Sequence, residues 1–230
     1  VGGDFSDIEL DDVTFLPGFG GAVGSSTRPL KIDMGDANSL TFSGSAAVHL
    51  SVGSAAVSPI VSRTANASNG QAGLYLYDCS ALNDLFNRGG TTKLINCSVD
   101  DAYVLPGASL IGDASSDCTA DLHNNGGTLA WDGTGVDAYT AGGTTTINGT
   151  DAWAVVECSG GTVQYNGSGT ITAAAAVGSG AIDFTKSSVG QTVTTLKIEG
   201  RGKAIYDPAD TTISNAITGD GPRVVKGGIS

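Results

Sequence analysis

The sequence has 230 residues, a formal net charge of −12 and eleven scattered Lys and Arg, which disfavours both a phosphate-reading surface and attachment to anionic membranes. Thirty-five Gly, 6% aromatic and 15% charged residues are unusual for a globular core but suit many short strands joined by tight corners. No run approaches the ~20 apolar residues of a membrane-spanning helix, and four Cys are too few for a disulfide scaffold.

In chain order, residues 1–29 alternate an acidic cluster (Asp4, Asp7, Glu9, Asp11, Asp12) with Phe5, Ile8, Leu10 and Val13, then reach the apolar loop Phe15-Leu16-Pro17-Gly18-Phe19. This pattern predicts an edge strand or terminal coil that caps a solenoid core. Phe15, Leu16, Pro17 and Phe19 are its candidate partner-docking residues. Residues 30–52 alternate apolar and polar side chains, predicting three short strands of one coil. Pro59 and the polar run 64–71 predict a lateral loop over 54–73. Strands are expected at 74–81 and 91–99 with one helical turn at 82–86, and a second loop within 104–125. Residues 192–217 continue the solenoid, and 219–230 form a C-terminal tail.

One phrase organises the remainder. GGTLAWDGT (126–134), GGTTTINGT (142–150) and GGTVQYNGS (160–168) follow one another at a spacing that leaves room for one solenoid coil between copies. Each has paired Gly, a β-rich run, a large apolar residue, and Asp-Gly or Asn-Gly, whose tolerance of positive φ makes a tight turn. Trp131, Ile147 and Tyr165 are therefore expected to stack in the core. Looser copies carry Cys in the turn: Tyr77-Asp78-Cys79, Ile95-Asn96-Cys97 and Val156-Glu157-Cys158, with GGTTKLINCS (89–98) a full copy plus one insertion. This alignment places Ile95 and Phe42 at the Trp131 position. It also places Cys79, Cys97, Cys118 and Cys158 at one repeat position, as a ladder of buried free thiols, with a Cys79–Cys97 disulfide the alternative. The fold expected is all-β: a single-stranded right-handed parallel β-helix of about ten coils over 30–218, spaced about 4.8 Å apart.

Chemistry-bearing residues are few. His49 and His123 stand apart in sequence from any Cys or acidic pair at metal-ligand spacing, which argues against zinc or a His-based triad. Asp100 with Asp101, Asp132 with Asp137, and Asp183 are candidate carboxylates for glycoside cleavage, although Asp132 is already explained as a turn residue. No catalytic residue or cofactor is expected. Structural calcium at the acidic N-terminal edge stays open, although the Gly-Gly-x-Gly-x-Asp calcium repeat is absent. Tyr139 and Trp153 lie outside the repeated apolar position and are the candidate glycan contacts. Three of the four Asn-x-Ser/Thr matches, at Asn96, Asn148 and Asn166, fall in turns that need Asn for geometry.

Two segments carry a resemblance. ELDDVTFLPGFGGAVGSSTRPLKI (9–32) and TVTTLKIEGRGKAIYDPADTTISNAIT (192–218) resemble the opening and closing coils of β-helix virion proteins encoded near the major capsid protein in tailed bacteriophages. The chain departs from that family in its four Cys and in lacking a Trp-rich N-terminal element. The resemblance implies a non-enzymatic late protein on the virion surface that decorates or cements the capsid. Its partners would be the major capsid protein and copies of itself in a symmetric homo-oligomer, with no nucleic acid and no membrane. The residues leave three other readings: a tail fibre or spike recognising host surface glycans, a polysaccharide-degrading β-helix enzyme, and a secreted bacterial adhesin.

Overall fold

The computed structural model describes residues 4–35, 39–44, 46–53, 56–62, 73–187 and 190–225. Among them there is no helix, and every strand pairing is parallel, with Ser25↔Arg28 the one antiparallel bridge. The chain is a right-handed parallel β-solenoid, as expected from its repeat.

Two long ladders form its main faces. The first runs through Asp4–Leu10, Leu30–Met34, Val48–Ser51 and Gly73–Tyr77, the later half of Leu85–Ile95, then Ala108–Gly112. It continues through the later halves of Asp121–Trp131 and Asp137–Ile147 to Thr162–Tyr165, Ala181–Asp183, Lys203–Tyr206 and Arg223–Val225. The second starts at Val13–Phe15, Ser39–Phe42 and Ser58–Ser62. It passes through the earlier halves of the three long strands and Ala102–Val104, then Trp153–Cys158, Thr170–Ala176, Gln191–Ile198 and Thr211–Ile213. Ser98–Val99 pairs with Asp117–Cys118 in a short third ladder. The first ladder runs past both ends of 30–218, since Asp4–Leu10 pairs onto Leu30–Met34 and Arg223–Val225 onto Lys203–Tyr206.

The long strands turn their corner at the paired glycines. Gly143 and Gly161 have φ of +73° and +75°, and a Cβ on either would strike a backbone carbonyl of the coil before it. Only Gly meets both demands.

Alternation sends every second side chain inward, and register stacks these into one core. Trp131, Ile147 and Tyr165 are fully buried and aligned, as their shared phrase predicts. Their stack extends backward through Gly112 to Leu94 and Leu76, and not through Ile95. Gly112 lies opposite Trp131, where a Cβ would collide with the indole, so the absent side chain makes room for the largest one. Ile95 is half-buried because the insertion falls after Leu94: Asn96, with φ of 55°, and Asp78, with φ of 52°, lengthen these turns by a left-handed residue. Phe42 belongs to the second face, in register with Phe15.

The outer turns carry their own ladder. Asn148 donates through Nδ2 to Asp132 Oδ1 at 2.5 Å, and Asn166 donates to Asn148 Oδ1 at 2.7 Å; Asn96 donates likewise to Asp78 at 2.7 Å. An amide can donate to one coil and accept from the next, whereas a carboxylate only accepts. Asp78 and Asp132 accordingly take the accepting ends of these chains.

Several expectations are corrected. Residues 82–86 are extended, Leu82 bridging to Val99, with no helical turn. Residues 104–125 are regular rungs without an ejected loop. Ser58–Ser62 pairs with Ser39–Phe42, Pro59 lying opposite Leu40, while 63–72 fall outside the described residues. The four Cys are free and buried but form no common ladder: Cys118 lies opposite Val99, and Cys158 opposite Thr140 and Ala176.

Trp131→Ala should lower unfolding stability by ~3–5 kcal/mol, because the cavity lies between coils that cannot collapse without losing register. Denaturant unfolding followed by far-UV circular dichroism measures this, and Leu16→Ser, at an exposed position, should shift it by no more than ~0.5 kcal/mol.

Candidate functional site

The second face carries a motif that lies outside the glycine phrase. Asp84-Leu85-Phe86, Asp101-Ala102-Tyr103, Asp121-Leu122-His123 and Asp137-Ala138-Tyr139 occupy four successive coils, at unequal intervals along the chain. The middle residue of each triplet is buried in the core. By the alternation of a strand, the flanking Asp and ring residues face outward.

In-register pairing stacks like on like. Ring centroids are 4.9 Å apart from Phe86 to Tyr103, 4.7 Å from Tyr103 to His123 and 5.4 Å from His123 to Tyr139, with interplanar angles of 7°, 7° and 16°. These separations match the coil spacing of about 4.8 Å. The rings cover one another's faces and turn their edges to solvent. The Arg88 guanidinium stands 5.8 Å from the Phe86 centroid, and Glu157 follows Tyr139 in the row.

Two of the four carboxylates beside the rings are held from two directions. Asp101 accepts the Asp121 amide on Oδ1 at 2.9 Å and the Tyr103 hydroxyl on Oδ2 at 3.3 Å. Asp137 repeats this with the Val155 amide at 2.9 Å and the Tyr139 hydroxyl at 3.2 Å. Burial, then the neighbouring carboxylates Asp101 and Asp100, raise the Asp84 pKa. Burial also raises that of Asp121, with Asp101, Asp137 and Asp100 adding to the rise and His123 opposing it. The Tyr103 and Tyr139 phenols are raised by burial and by the same carboxylates. Among the described residues no Lys or Arg is ion-paired to this column, and His123 Nε2 lies 3.7 Å from Asp121 Oδ2.

The residues singled out in sequence are distributed differently. Phe15 and Phe19 pack against the end of the core, their rings 5.3 Å apart at 64°, with Phe15 6.0 Å from Phe42. Phe19 N donates to Leu16 O at 2.9 Å and closes the loop, leaving Pro17 exposed and Leu16 66% exposed. Tyr139 lies on the ring row. Trp153 is corrected: it is fully buried in an inward row with Ile171, Val193 and Ile213, its indole filling the space beside Gly135, and it cannot contact a glycan.

The expected carboxylate pairs do not converge. Asp100 turns away from Asp101 and accepts the Thr119 hydroxyl at 3.0 Å, Asp132 belongs to the turn ladder, and Asp183 holds Thr185 through N at 2.9 Å and Oγ1 at 2.6 Å. His49 stacks on Tyr75 at 4.4 Å and lies 2.9 Å from the Tyr77 hydroxyl through Nδ1, and burial lowers its pKa. His123 is the second correction, since the coil spacing brings it to Asp101 and Asp121. At the acidic N-terminal edge, Asp12 accepts Ser39 N at 2.9 Å and Oγ at 2.7 Å, which lowers its pKa, while the side chains of Asp4, Asp7 and Glu9 lie outside the described ones.

Fold and face together define a β-solenoid with a laterally displayed aspartate–aromatic column. Comparison of the chain with protein-family models, curated proteins and solved structures finds no match.

A carboxyl whose folded pKa is raised favours the folded state below its unfolded pKa and loses that contribution as pH rises through the folded value. In buffer containing chelator, Asp121→Asn should therefore raise the melting temperature relative to the parent at pH 7. The gain should shrink toward zero as pH falls below about 4, where the parent carboxyl is protonated in both states.

Proposed function

We propose that this solenoid is a non-enzymatic structural protein of a virion surface, decorating or cementing the capsid of a tailed bacteriophage against the major capsid protein. The reading rests on the resemblance of residues 9–32 and 192–218 to phage β-helix virion proteins. The observation that carries it is the contrast between a hydrogen-bonded rod and its apolar N-terminal loop. Among the described large apolar residues only Leu16, 66% exposed, and Val136, 43% exposed, stand out in solvent. Leu16 and Pro17 project from a base braced by Phe15 and Phe19, a small preorganised knob of the kind that anchors an interface. Coils that hydrogen-bond to one another along the axis leave no lateral strand edge to recruit stray partners.

The glycan-binding and enzymatic readings fare less well on geometry. Sugar rings stack on open aromatic faces, whereas Tyr103 and His123 have a ring on either side, and Tyr139 lies between the His123 ring and the Glu157 position of the next coil. Glycoside cleavage needs two carboxyls opposed across the bond; here the four aspartates project side by side from one sheet.

A reconstruction of particles carrying the chain tests the proposal. Copies are expected at regular positions on the icosahedral shell, with Leu16 and Pro17 against the major capsid protein, and Leu16→Asp should reduce occupancy roughly tenfold or more. Copies confined to a tail, or full occupancy by Leu16→Asp, would overturn it.

A further inference from the structure

We infer that Asp101, Asp121 and His123 form a site for a first-row divalent transition metal, with zinc as the reference ion. Each offers one ligand atom, and the three atoms lie within 4.8 Å of one another, all on half-buried residues. Asp121 and His123 come from one strand at i and i+2, and Asp101 from the coil before it.

The geometry goes beyond an accumulation of acidic residues. His123 Nε2 stands 3.7 Å from Asp121 Oδ2, too far for a hydrogen bond. Two ligands on one tetrahedral zinc, each about 2.0–2.2 Å from the metal, are roughly 3.3 Å apart, so the observed gap is close to that span. The imidazole is held in place, stacked between Tyr103 at 4.7 Å and Tyr139 at 5.4 Å. Asp101 is fixed by the Asp121 amide and the Tyr103 hydroxyl, the kind of outer-shell support that orients metal ligands. Asp84, Asp100 and Asp137 add negative charge around the site.

The donor set selects the class of ion. One imidazole nitrogen with two carboxylates suits zinc, cobalt, nickel or manganese, whereas calcium and magnesium take oxygen ligands, calcium in larger number. Three protein ligands leave a coordination position facing away from the sheet, open to water or to a donor from another molecule.

Calorimetric titration of the full chain, stripped with chelator, against zinc chloride tests the site. One ion should bind per chain. His123→Phe, which keeps a ring in the stack, and Asp101→Asn should each weaken binding at least about tenfold, while His49→Ala, on the other face, leaves it unchanged. Cobalt loaded into the unsubstituted chain should give visible d–d absorption without a thiolate-to-metal charge-transfer band, a readout that does not depend on any variant folding. Absence of stoichiometric binding, affinity unchanged in His123→Phe, a thiolate band from the buried Cys, or calcium displacing zinc at equal concentration would each overturn the assignment.

Discussion

Parallel, in-register stacking of coils is the constraint from which the other features follow. Once each residue lies about 4.8 Å above its counterpart in the previous coil, any side chain written at one position meets its own kind at the next. The result depends on chemistry. Asparagine profits, because one amide both donates and accepts, giving the chain from Asn166 through Asn148 to Asp132. Aromatic rings profit also, since the spacing is close to their stacking distance. Carboxylates repel, and the column from Asp84 to Asp137 is tolerated where backbone amides and tyrosine hydroxyls reach into it. The same vertical proximity brings His123 to two aspartates, one of them a full coil earlier in the chain.

Stacking also constrains volume. The two tryptophans each fill the place of a missing side chain: Gly112 lies opposite Trp131, and Gly135 receives the Trp153 ring. At the corners, Gly127, Gly143 and Gly161 let carbonyls of one coil approach the backbone of the next. Solenoid stability is a sum over such nearest-neighbour contacts, so a single large-to-small change in the column acts on both adjoining interfaces.

Much of this was legible in the sequence because the glycine phrase repeats with little variation. Trp131, Ile147 and Tyr165 could be stacked by counting, and Asp132 recognised as a turn residue. Counting failed where a coil changed length inside the phrase. The left-handed residues Asp78 and Asn96 shift Ile95 out of the core column, and no local pattern distinguishes them from the Asp and Asn of the shorter turns. Trp153 was misplaced because it begins its own inward row, away from the recurring apolar position. The Asp-x-ring triplets were missed because the intervals from Asp84 to Asp101, Asp121 and Asp137 do not repeat at a fixed period; coil length must be known before they align. Their common spelling, an aspartate just before an apolar residue and a ring, was the available signal.

The rod therefore separates its tasks by position. Glycine and the buried column set the path, the turn ladder joins the coils, the Leu16 loop presents an apolar knob at one end, and the second face displays charge and rings. Every functional statement about that face depends on register, because a slip of one position would turn the rings inward and the buried leucines and alanines out. The most direct test is nuclear Overhauser contact among aromatic protons in the labelled chain. His123 ring protons should show contacts to both Tyr103, in the coil before it, and Tyr139, in the coil after it. Contacts from Tyr103 directly to Tyr139, or from His123 only to its sequence neighbours, would contradict the stacking on which the whole account rests.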